Sequence, residues 1–393
     1  MLAKYSDRSA NILIKLSGYN IKYEIYTGSR TRVFQGIREA DNKPVIIKLI
    51  SAKYPTFDEV AQFRHQYAIL KSLDITGVVK AYSLEVFHNG YALIMEDFGG
   101  VSLEQHIETW ERTPDTESEI ISNFFQIAIA IAEILEEVHK NHIIHKDIKP
   151  ANILINQYTK DIKLIDFSIA SVLAKETSNP LNVRDLEGTL FYLSPEQTGR
   201  MNRNIDYRSD FYSLGITFYE LLTGELPFQS DDPMEIVHSH IAKQPIKPSA
   251  INSQIPSIVD RIIYKLIAKN AEGRYQSASG LKYDLEKCYE EWKSGNNIVD
   301  FELCTQDISH NFNIPEKLYG REAEVQRLIA AFERVSQENT EIFLVCGSSG
   351  VGKTAVINEV HKPIVQKRGY FIQGKYDQLH REIPFAGFVE AFR

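Results

Sequence analysis

His145-Lys146-Asp147-Ile148-Lys149-Pro150-Ala151-Asn152 is the stretch from which the fold is read. It sets a carboxylate, an ammonium and an amide on one short loop. Those groups can take a proton from a hydroxyl, steady a moving phosphoryl group and hold a metal ion. Such a loop can also arise by chance in a helical protein, so the parts on either side decide. Upstream, Val45-Ile46-Ile47-Lys48 ends an apolar strand in a lysine. A lysine there is costly unless its ammonium finds a partner, and a phosphate is one. The alternative is a strand-end lysine that snorkels to water. Downstream, Leu164-Ile165-Asp166-Phe167-Ser168 places an acid after an apolar run, nineteen residues beyond Asp147. A magnesium site needs such an acid, because Mg2+ prefers carboxylate and phosphate oxygens.

The loop resembles the catalytic loop of eukaryotic-type protein kinases, H-R-D-L-K-x-x-N, with Lys146 in place of the usual arginine and the D-x-x-x-x-N spacing kept by Asp147 and Asn152. The resemblance implies that Asp147 accepts the substrate hydroxyl proton, Lys149 stabilises charge on the γ-phosphate of ATP, and Asn152 holds a second Mg2+. Lys48 then matches V-A-I-K, and Asp166 the acid of D-F-G, with Ser168 for glycine. That change removes backbone freedom at the pivot but leaves the metal ligand. His145 reads as a backbone anchor. Lys146 is a point charge without arginine's bidentate fork, so phosphate-dependent activation would be weaker. Gly188-Thr189-Leu190-Phe191-Tyr192-Leu193-Ser194-Pro195-Glu196 resembles the G-T-x-x-Y-x-A-P-E end of an activation loop. Thr189 stands where serine/threonine kinases keep a threonine, which implies Ser/Thr acceptors. Glu196 would pair with Arg274. Asp210-Phe211-Tyr212-Ser213-Leu214-Gly215 resembles D-x-W-S-x-G, whose aspartate accepts hydrogen bonds from the catalytic-loop backbone. Ser171, Thr177 and Ser178 are hydroxyls open to phosphorylation, although most such groups are ordinary loop solvation.

The front of the chain departs from the family pattern. Residues 20–50 alternate apolar and polar positions, which predicts strands at Ile21–Tyr26, Val33–Gly36 and Val45–Ile50 around a turn at Gly28. Aligned on Val33 with the phosphate-covering G-x-G-x-x-G-x-V, the chain has Tyr26, Gly28 and Thr31 at the glycine positions. A plain hairpin turn is the competing reading. The helix expected over Phe57–Leu73 carries Gln66 where a glutamate would pair with Lys48. Glu59 lies two turns earlier, ~10 Å away, and is a poor substitute. Gln66 can still accept a hydrogen bond from Lys48. Tyr91–Phe98 reads as a buried strand. By resemblance, Met95 is the gatekeeper behind the adenine, and Glu96, Asp97 and Phe98 form the hinge. Ile120–His142 has the pattern of a long core helix beneath the catalytic loop.

Composition is that of an ordinary globular protein: 393 residues, 43% hydrophobic and 24% charged. The formal net charge of −8 argues against broad binding to nucleic acid or anionic membranes. The cysteines Cys288, Cys304 and Cys346 have neither metal nor disulfide spacing, which favours a reducing cytosol. The N-terminus lacks a signal-peptide apolar core, and no apolar run reaches the ~18 residues of a membrane span. A polar stretch from Lys293 to Glu316 reads as a linker. Beyond it, an amphipathic helix expected from Leu318 to Val335 and an apolar strand at Glu341–Cys346 lead to Gly347-Ser348-Ser349-Gly350-Val351-Gly352-Lys353-Thr354. This is a full G-x-x-x-x-G-K-[ST]. Its glycines let successive N–H groups face a phosphate, Lys353 adds charge and Thr354 offers a hydroxyl to Mg2+. A further strand is expected near Tyr370–Gln373, and Asp377 is a poor candidate for the second magnesium acid. A P-loop domain needs more chain than remains, so an incomplete ATPase segment is expected.

Lys48, Asp147, Asn152, Asp166, Glu196, Asp210 and Arg274 stand in kinase order and spacing. The resemblance implies a bilobal α+β kinase fold over residues 18–292, with an antiparallel β N-lobe and a helical C-lobe. A linker at 293–316 and a truncated α/β P-loop NTPase segment at 317–393 follow. A kinase joined to such a segment resembles large bacterial signalling proteins, especially cyanobacterial ones, in which an AAA/STAND-type ATPase, GAF and histidine kinase modules follow. The function implied is a cytoplasmic, ATP- and Mg2+-dependent serine/threonine kinase acting on protein substrates, with the P-loop domain as a switch. Tyr26, Thr31, Gln66 and Ser168 motivate the alternative, a pseudokinase that binds nucleotide and signals to the ATPase without phosphotransfer.

Overall fold

A computed structural model describes residues 14–113, 115–172, 190–199, 203–295, 298–308, 320–337, 340–348, 350–360, 363–364, 372, 374 and 385. Thr177, Ser178, Gly188, Thr189 and Asp377 lie outside the described residues, as does most of the strand expected near Tyr370–Gln373. The chain forms two compact units. The first is Met1–Thr177, Asp206–Pro227 and Ile246–His310, and the second is Ser178–Ile205, Phe228–Pro245 and Asn311–Arg393.

The first unit opens with β1 (Tyr19–Thr27), β2 (Thr31–Arg38), β3 (Lys43–Ile50), α1 (Phe57–Ser72), β4 (Ala81–Phe87) and β5 (Gly90–Glu96). The strands form one antiparallel sheet in the order β1-β2-β3-β5-β4. Period-two alternation in β3 sends Val45, Ile47 and Leu49 into a core with Leu16, Phe34, Ala92 and Ile94. The same alternation turns Lys48 to the opposite face. Helix α1 starts on a capping box. The Thr56 hydroxyl accepts the Glu59 N–H at 3.3 Å, and the Glu59 carboxylate accepts the Thr56 N–H at 2.8 Å. Glu59 is therefore committed to the helix start and is no surrogate for Gln66.

Next come β6 (Val101–Ser102), α2 (Leu103–Ile107), α3 (Glu117–Lys140), β7 (Ile143–Ile144), β8 (Ile153–Ile155), β9 (Ile162–Leu164) and β10 (Ser171–Val172). The helices α4 (Arg208–Thr223), α5 (Pro233–Ala242), α6 (Pro248–Ile251), α7 (Ser257–Leu266) and α8 (Ala278–Gly295) follow, of which only α5 belongs to the second unit. Among the described residues α3 alone is long and apolar enough to cross a membrane, but its apolar side chains, Ile121, Phe124, Phe125 and Leu135 among them, are buried within the unit. It packs on α8, and Phe124 meets the Phe218 ring of α4 edge-on at 5.2 Å. Gly77 lets the backbone carrying Val78 and Val79 pass close to α3. A Cβ there would lie 2.2 Å from Ile134 Cγ1. Gly77→Ala is accordingly expected to destabilise the protein by about 1–3 kcal/mol, as overpacked cores do. Chemical denaturation would measure this, and adding Ile134→Ala should restore part of the loss. Helix α4 is closed by Gly224 at φ +75°, and Arg112 donates to the free carbonyls of Leu221 and Leu222 at 2.6 and 2.7 Å.

The stretch read as a linker is partly tied down. Helix α8 runs to Gly295, and residues 298–308 are held on the same unit. The Val299 N–H donates to Glu291 at 2.8 Å, Arg261 pairs with Asp300, and the Cys304 N–H donates to Asp284 at 2.9 Å.

In the second unit, Leu190 and Leu193 pack with Ile236, Val237 and Ile241 of α5. Ser194 caps the short turn Pro195–Thr198 through a reciprocal pair with Gln197, and Gly199 ends it at φ +67°. Farther along lie α9 (Glu322–Val335) and α10 (Lys353–Asn358). Residues 340–348, where a strand is expected, form no sheet ladder among the described residues, and Ile342 and Leu344 are 85% and 81% exposed.

Candidate active site

Lys48, Gln66 and Asp166 converge from β3, α1 and the turn after β9. The Lys48 ammonium reaches Asp166 Oδ1 at 2.8 Å and Gln66 Oε1 at 3.3 Å, and Gln66 Nε2 donates to the same Asp166 oxygen at 3.3 Å. Both Lys48 and Gln66 are buried. Gln66 thus serves as acceptor to the lysine and donor to the aspartate, which a glutamate at this position could not do. Burial pulls the Asp166 carboxyl up, but the Lys48 ammonium, a Ser168 hydrogen bond and His145 outweigh it and hold the pKa at about 2. Asp166 itself adopts φ +61°, and Ser168 does not occupy the left-handed region. The loss of glycine at 168 therefore costs no strain here, and its side chain adds a hydrogen bond to the acid.

Asp147, Lys149 and Asn152 form the second cluster, where a tight turn at Pro150–Asn152 folds the loop back on itself. Asp147 Oδ2 accepts from Asn152 Nδ2 at 2.7 Å and pairs with Lys149 at 2.9 Å. Asp147 Oδ1 is buried without a hydrogen-bond partner. The Asn152 amide nitrogen also donates to the Asp147 carbonyl at 2.9 Å, so both its N–H groups face Asp147 and its oxygen points elsewhere.

Asp210, fully buried near the start of α4, aims the loop. Its Oδ2 accepts the His145 N–H at 2.9 Å and the His139 ring N–H at 2.8 Å, and its Oδ1 accepts the Lys146 N–H at 2.7 Å. Burial raises this carboxyl, and His139 and His145 more than offset it, so the pKa lies below the ordinary carboxylate range. Lys146 is held at φ +68°, a cost that the two Asp210 bonds secure. His145 accepts the Asp147 N–H on Nδ1 at 3.2 Å and so donates from Nε2 to the Ile165 carbonyl at 3.0 Å. These two contacts make His145 a brace between the loop and Asp166. Its ring meets that of Phe167 at 4.5 Å.

At the front, Val33 pairs with Lys48 across β2 and β3. Gly28 closes its turn through a 2.8 Å bond to the Thr31 carbonyl, and the Tyr26 phenol folds over it so closely that a Cβ on residue 28 would sit 2.6 Å from the oxygen. Sequence reasoning missed the clamp beneath this turn. Arg32 donates to both oxygens of Glu24 at 2.7 and 2.8 Å, and this, against the opposing effect of burial and helped by a Thr27 hydrogen bond, lowers the Glu24 pKa to about 2. Opposite charges near each other across a hairpin were the available signal. Glu96 and Asp97 are committed as well. Glu96 pairs with Lys163, whose ammonium lies 5.3 Å from the Phe98 ring, and Asp97 accepts from Gln35 and from the Gly99 N–H. Met95 is buried between β3 and β4, paired with Ile46 and Ala81.

Glu196 and Arg274 are both buried. Arg274 donates to the carbonyls of Ala268 and Arg208 at 2.8 and 3.0 Å. Thr189 lies outside the described residues. In the P-loop, Gly350 and Gly352 take φ +81° and +90°, conformations that favour glycine, and Lys353 Nζ folds onto the carbonyls of Gly347 and Ser348 at 2.8 and 2.7 Å. Thr354 follows in the first turn of α10.

Residues 19–285 match the protein kinase domain family, and residues 317–393 match the AAA ATPase domain family. Members of both families use ATP. The chain belongs to the protein kinase family and carries an AAA ATPase domain sequence after it. It is 33% identical to hybrid signal transduction histidine kinase G of Dictyostelium discoideum over 69% of this chain and 10% of that protein. It is 38% identical to the serine/threonine-protein kinase PknB of Mycobacterium tuberculosis over 50% of this chain and 30% of that one. A probable serine/threonine-protein kinase of Clostridium acetobutylicum is 30% identical over 68% of this chain and 39% of its own length. The chain thus spans well under half of each of these relatives.

Proposed function

We propose that this chain is an ATP-dependent protein serine/threonine kinase of a cytoplasmic signalling protein, with its kinase domain at 18–292, a connection at 293–316 and a P-loop regulatory module from 317 onward. The observation that carries the reading is Asp147. One carboxylate oxygen is pinned by Asn152 and Lys149, and the other is buried without a partner. A buried acceptor left open is costly unless a ligand uses it. A Ser or Thr hydroxyl presented there could pass its proton to Asp147 as its oxygen bonds to the γ-phosphorus of ATP and the bond to the β-phosphate oxygen breaks. Lys149, already beside Asp147, would meet the charge spreading over the moving phosphoryl group. Lys48 would hold the phosphates, and Met95, Glu96 and Phe98 would line the adenine side.

Asp166 and Asn152 fit Mg2+. The acid stays ionised down to a pKa of about 2, and the amide presents an oxygen because its nitrogen faces Asp147. When bound, Mg2+ would neutralise charge on the phosphate oxygens. His145, Gln66 and Asp210 position these groups, and Gly347, Gly350, Gly352, Lys353 and Thr354 would bind a second nucleotide in the P-loop module. The Dictyostelium relative's name, a hybrid histidine kinase, supports placing further signalling modules in the same polypeptide.

The test is transfer of labelled γ-phosphate from Mg-ATP to a generic protein substrate and to the chain itself, with Asp166→Ala alongside. Label on serine and threonine that the variant abolishes is the expected result. A folded wild-type protein that binds ATP but transfers nothing would overturn the reading in favour of a nucleotide-binding pseudokinase.

A further inference from the structure

Asp307 lies on the strap 298–308, by which the chain leaves α8. Its Oδ2 accepts the Gln276 N–H and its Oδ1 accepts the Ser277 hydroxyl, both at 2.8 Å. Ser277 in turn accepts the Gly280 N–H at 3.0 Å. Only glycine at 280 admits the strap, since a Cβ there would lie 2.6 Å from Asp307 Cα and from its Oδ1.

From Gln276 the polar contacts continue without a break. Its carbonyl accepts the Tyr207 hydroxyl at 2.9 Å, its Oε1 accepts Arg208 Nη1 at 3.0 Å, and its Nε2 donates to the Arg274 carbonyl at 2.8 Å. Arg274 closes the circuit by donating to the Arg208 carbonyl at 3.0 Å. Arg208 opens α4, and two residues further on is Asp210, whose carboxylate holds the His145 and Lys146 N–H groups next to Asp147.

We infer that Asp307 is a positioning residue for phosphotransfer: by fixing Gln276 against Tyr207 and Arg208 it sets the first turn of α4, and through Asp210 the pose of the catalytic loop. The inference rests on the kinase reading above. Asp210 sits in the first turn of α4, so it moves with that turn, and a close-packed interior transmits the shift. The strap runs on in sequence toward the P-loop segment. Contiguous bonds become coupling only when both ends respond to one change, and the experiment reads both ends.

Asp307→Ala and the milder Asp307→Asn would be made in the whole chain and followed by steady-state phosphotransfer and by amide hydrogen exchange. Asp307→Ala is expected to lower kcat ~5–20-fold, the range of such couplings, with the KM for ATP within about twofold. Asp307→Asn, which keeps one oxygen acceptor for two donors, should fall between. The His145 and Lys146 amides should lose protection while those of the β3–β5 ladder do not. Arg208→Ala should add little to Asp307→Ala, because the two act in series. An unchanged kcat, or a fall that tracks a uniform loss of protection across the domain, would overturn the inference. Were the wild-type chain to transfer no phosphate, the kinase reading would fail on its own. Unchanged protection at His145 and Lys146 would still overturn the positioning role.

Discussion

Asp147→Asn in the intact chain is expected to slow single-turnover phosphotransfer by ~10²–10⁴-fold, the usual contribution of a positioned base, while ATP affinity changes by less than about threefold. The substitution is nearly isosteric, so the loop should keep its shape, with Asp210 still holding the His145 and Lys146 amides. Two things are lost. The open oxygen, Oδ1, gives way to a group that cannot take up a proton at neutral pH, or else the amide turns and confronts the Asn152 N–H groups with its own. Lys149 also loses its ion pair with the carboxylate 2.9 Å away. Neither change touches Lys48 or Asp166, which is why the loss should fall on the rate and spare binding. Rapid-quench transfer at saturating Mg-ATP would measure it, with thermal unfolding as the control for folding. A loss smaller than tenfold would remove Asp147 from the role of proton acceptor.

The parts of this fold that were legible in the sequence are those set by local pattern. Val45–Lys48 reads as a buried strand because alternation and β-branching are local, and the strand forms over Lys43–Ile50. The periodicity at Ile120–His142 marks a helix that spans Glu117–Lys140. Glu341–Cys346 carries an equally strong apolar pattern and yet makes no ladder among the described residues. Residues 298–308 show what composition does not carry. Polar composition marks a linker, and within it the side chains of Asp284, Glu291 and Asp307 and the guanidinium of Arg261 tie residues 298–308 to the C-lobe. Composition registers polarity but does not register partners.

The site divides in the same way. Lys48, Asp147, Asn152 and Asp166 stand at spacings that a motif records, and the structure brings Lys48 to Asp166 and Asn152 to Asp147. The groups that aim them are ordinary residues far away in sequence. Lys163 reaches Glu96, and His139 reaches Asp210, across separations that no local pattern spans. Ser168 shows a subtler limit. Read as a lost glycine it suggests lost mobility, but the positive φ belongs to Asp166, and the hydroxyl supplies a hydrogen bond that glycine could not. Gln66 was legible as a missing charge and only half legible as a hydrogen-bonding group. Its acceptor face could be anticipated, but its donor face toward Asp166 could not.

That donor face and the Lys48 ammonium give the second large effect. Lys48→Met should cut kcat/KM by ~10²–10³-fold, as the loss of a preorganised charge on a transferring phosphate does, and should also change how stability depends on pH. In the wild-type protein the Asp166 carboxyl titrates at about 2 against an ordinary value of 3.8. A folded-state pKa below the unfolded one stabilises the protein at pH values above the unfolded pKa, and the gain disappears as the pH falls through the folded pKa. Methionine removes the largest opponent of burial and leaves only weaker ones, the Ser168 and Gln66 hydrogen bonds among them, so the Asp166 pKa should rise from about 2 and its contribution to stability should shrink. With its side chain 31% exposed, solvent screening trims the difference between the two proteins to on the order of 1–2 kcal/mol at neutral pH. That gap should narrow as the pH falls through the variant's Asp166 pKa, where its carboxyl takes up a proton while the wild-type one, at about 2, is still ionised. Urea melts from pH 3 to 8 would trace it, and a constant gap would show that Asp166 does not titrate against Lys48. Gln66→Glu separates the two supports. It keeps an acceptor for the lysine but replaces the donor to Asp166 with a like charge at a comparable distance, so the acid limb of activity should move up by about one pH unit. An acid limb that stays in place would mean that Lys48 alone sets the ionisation of Asp166.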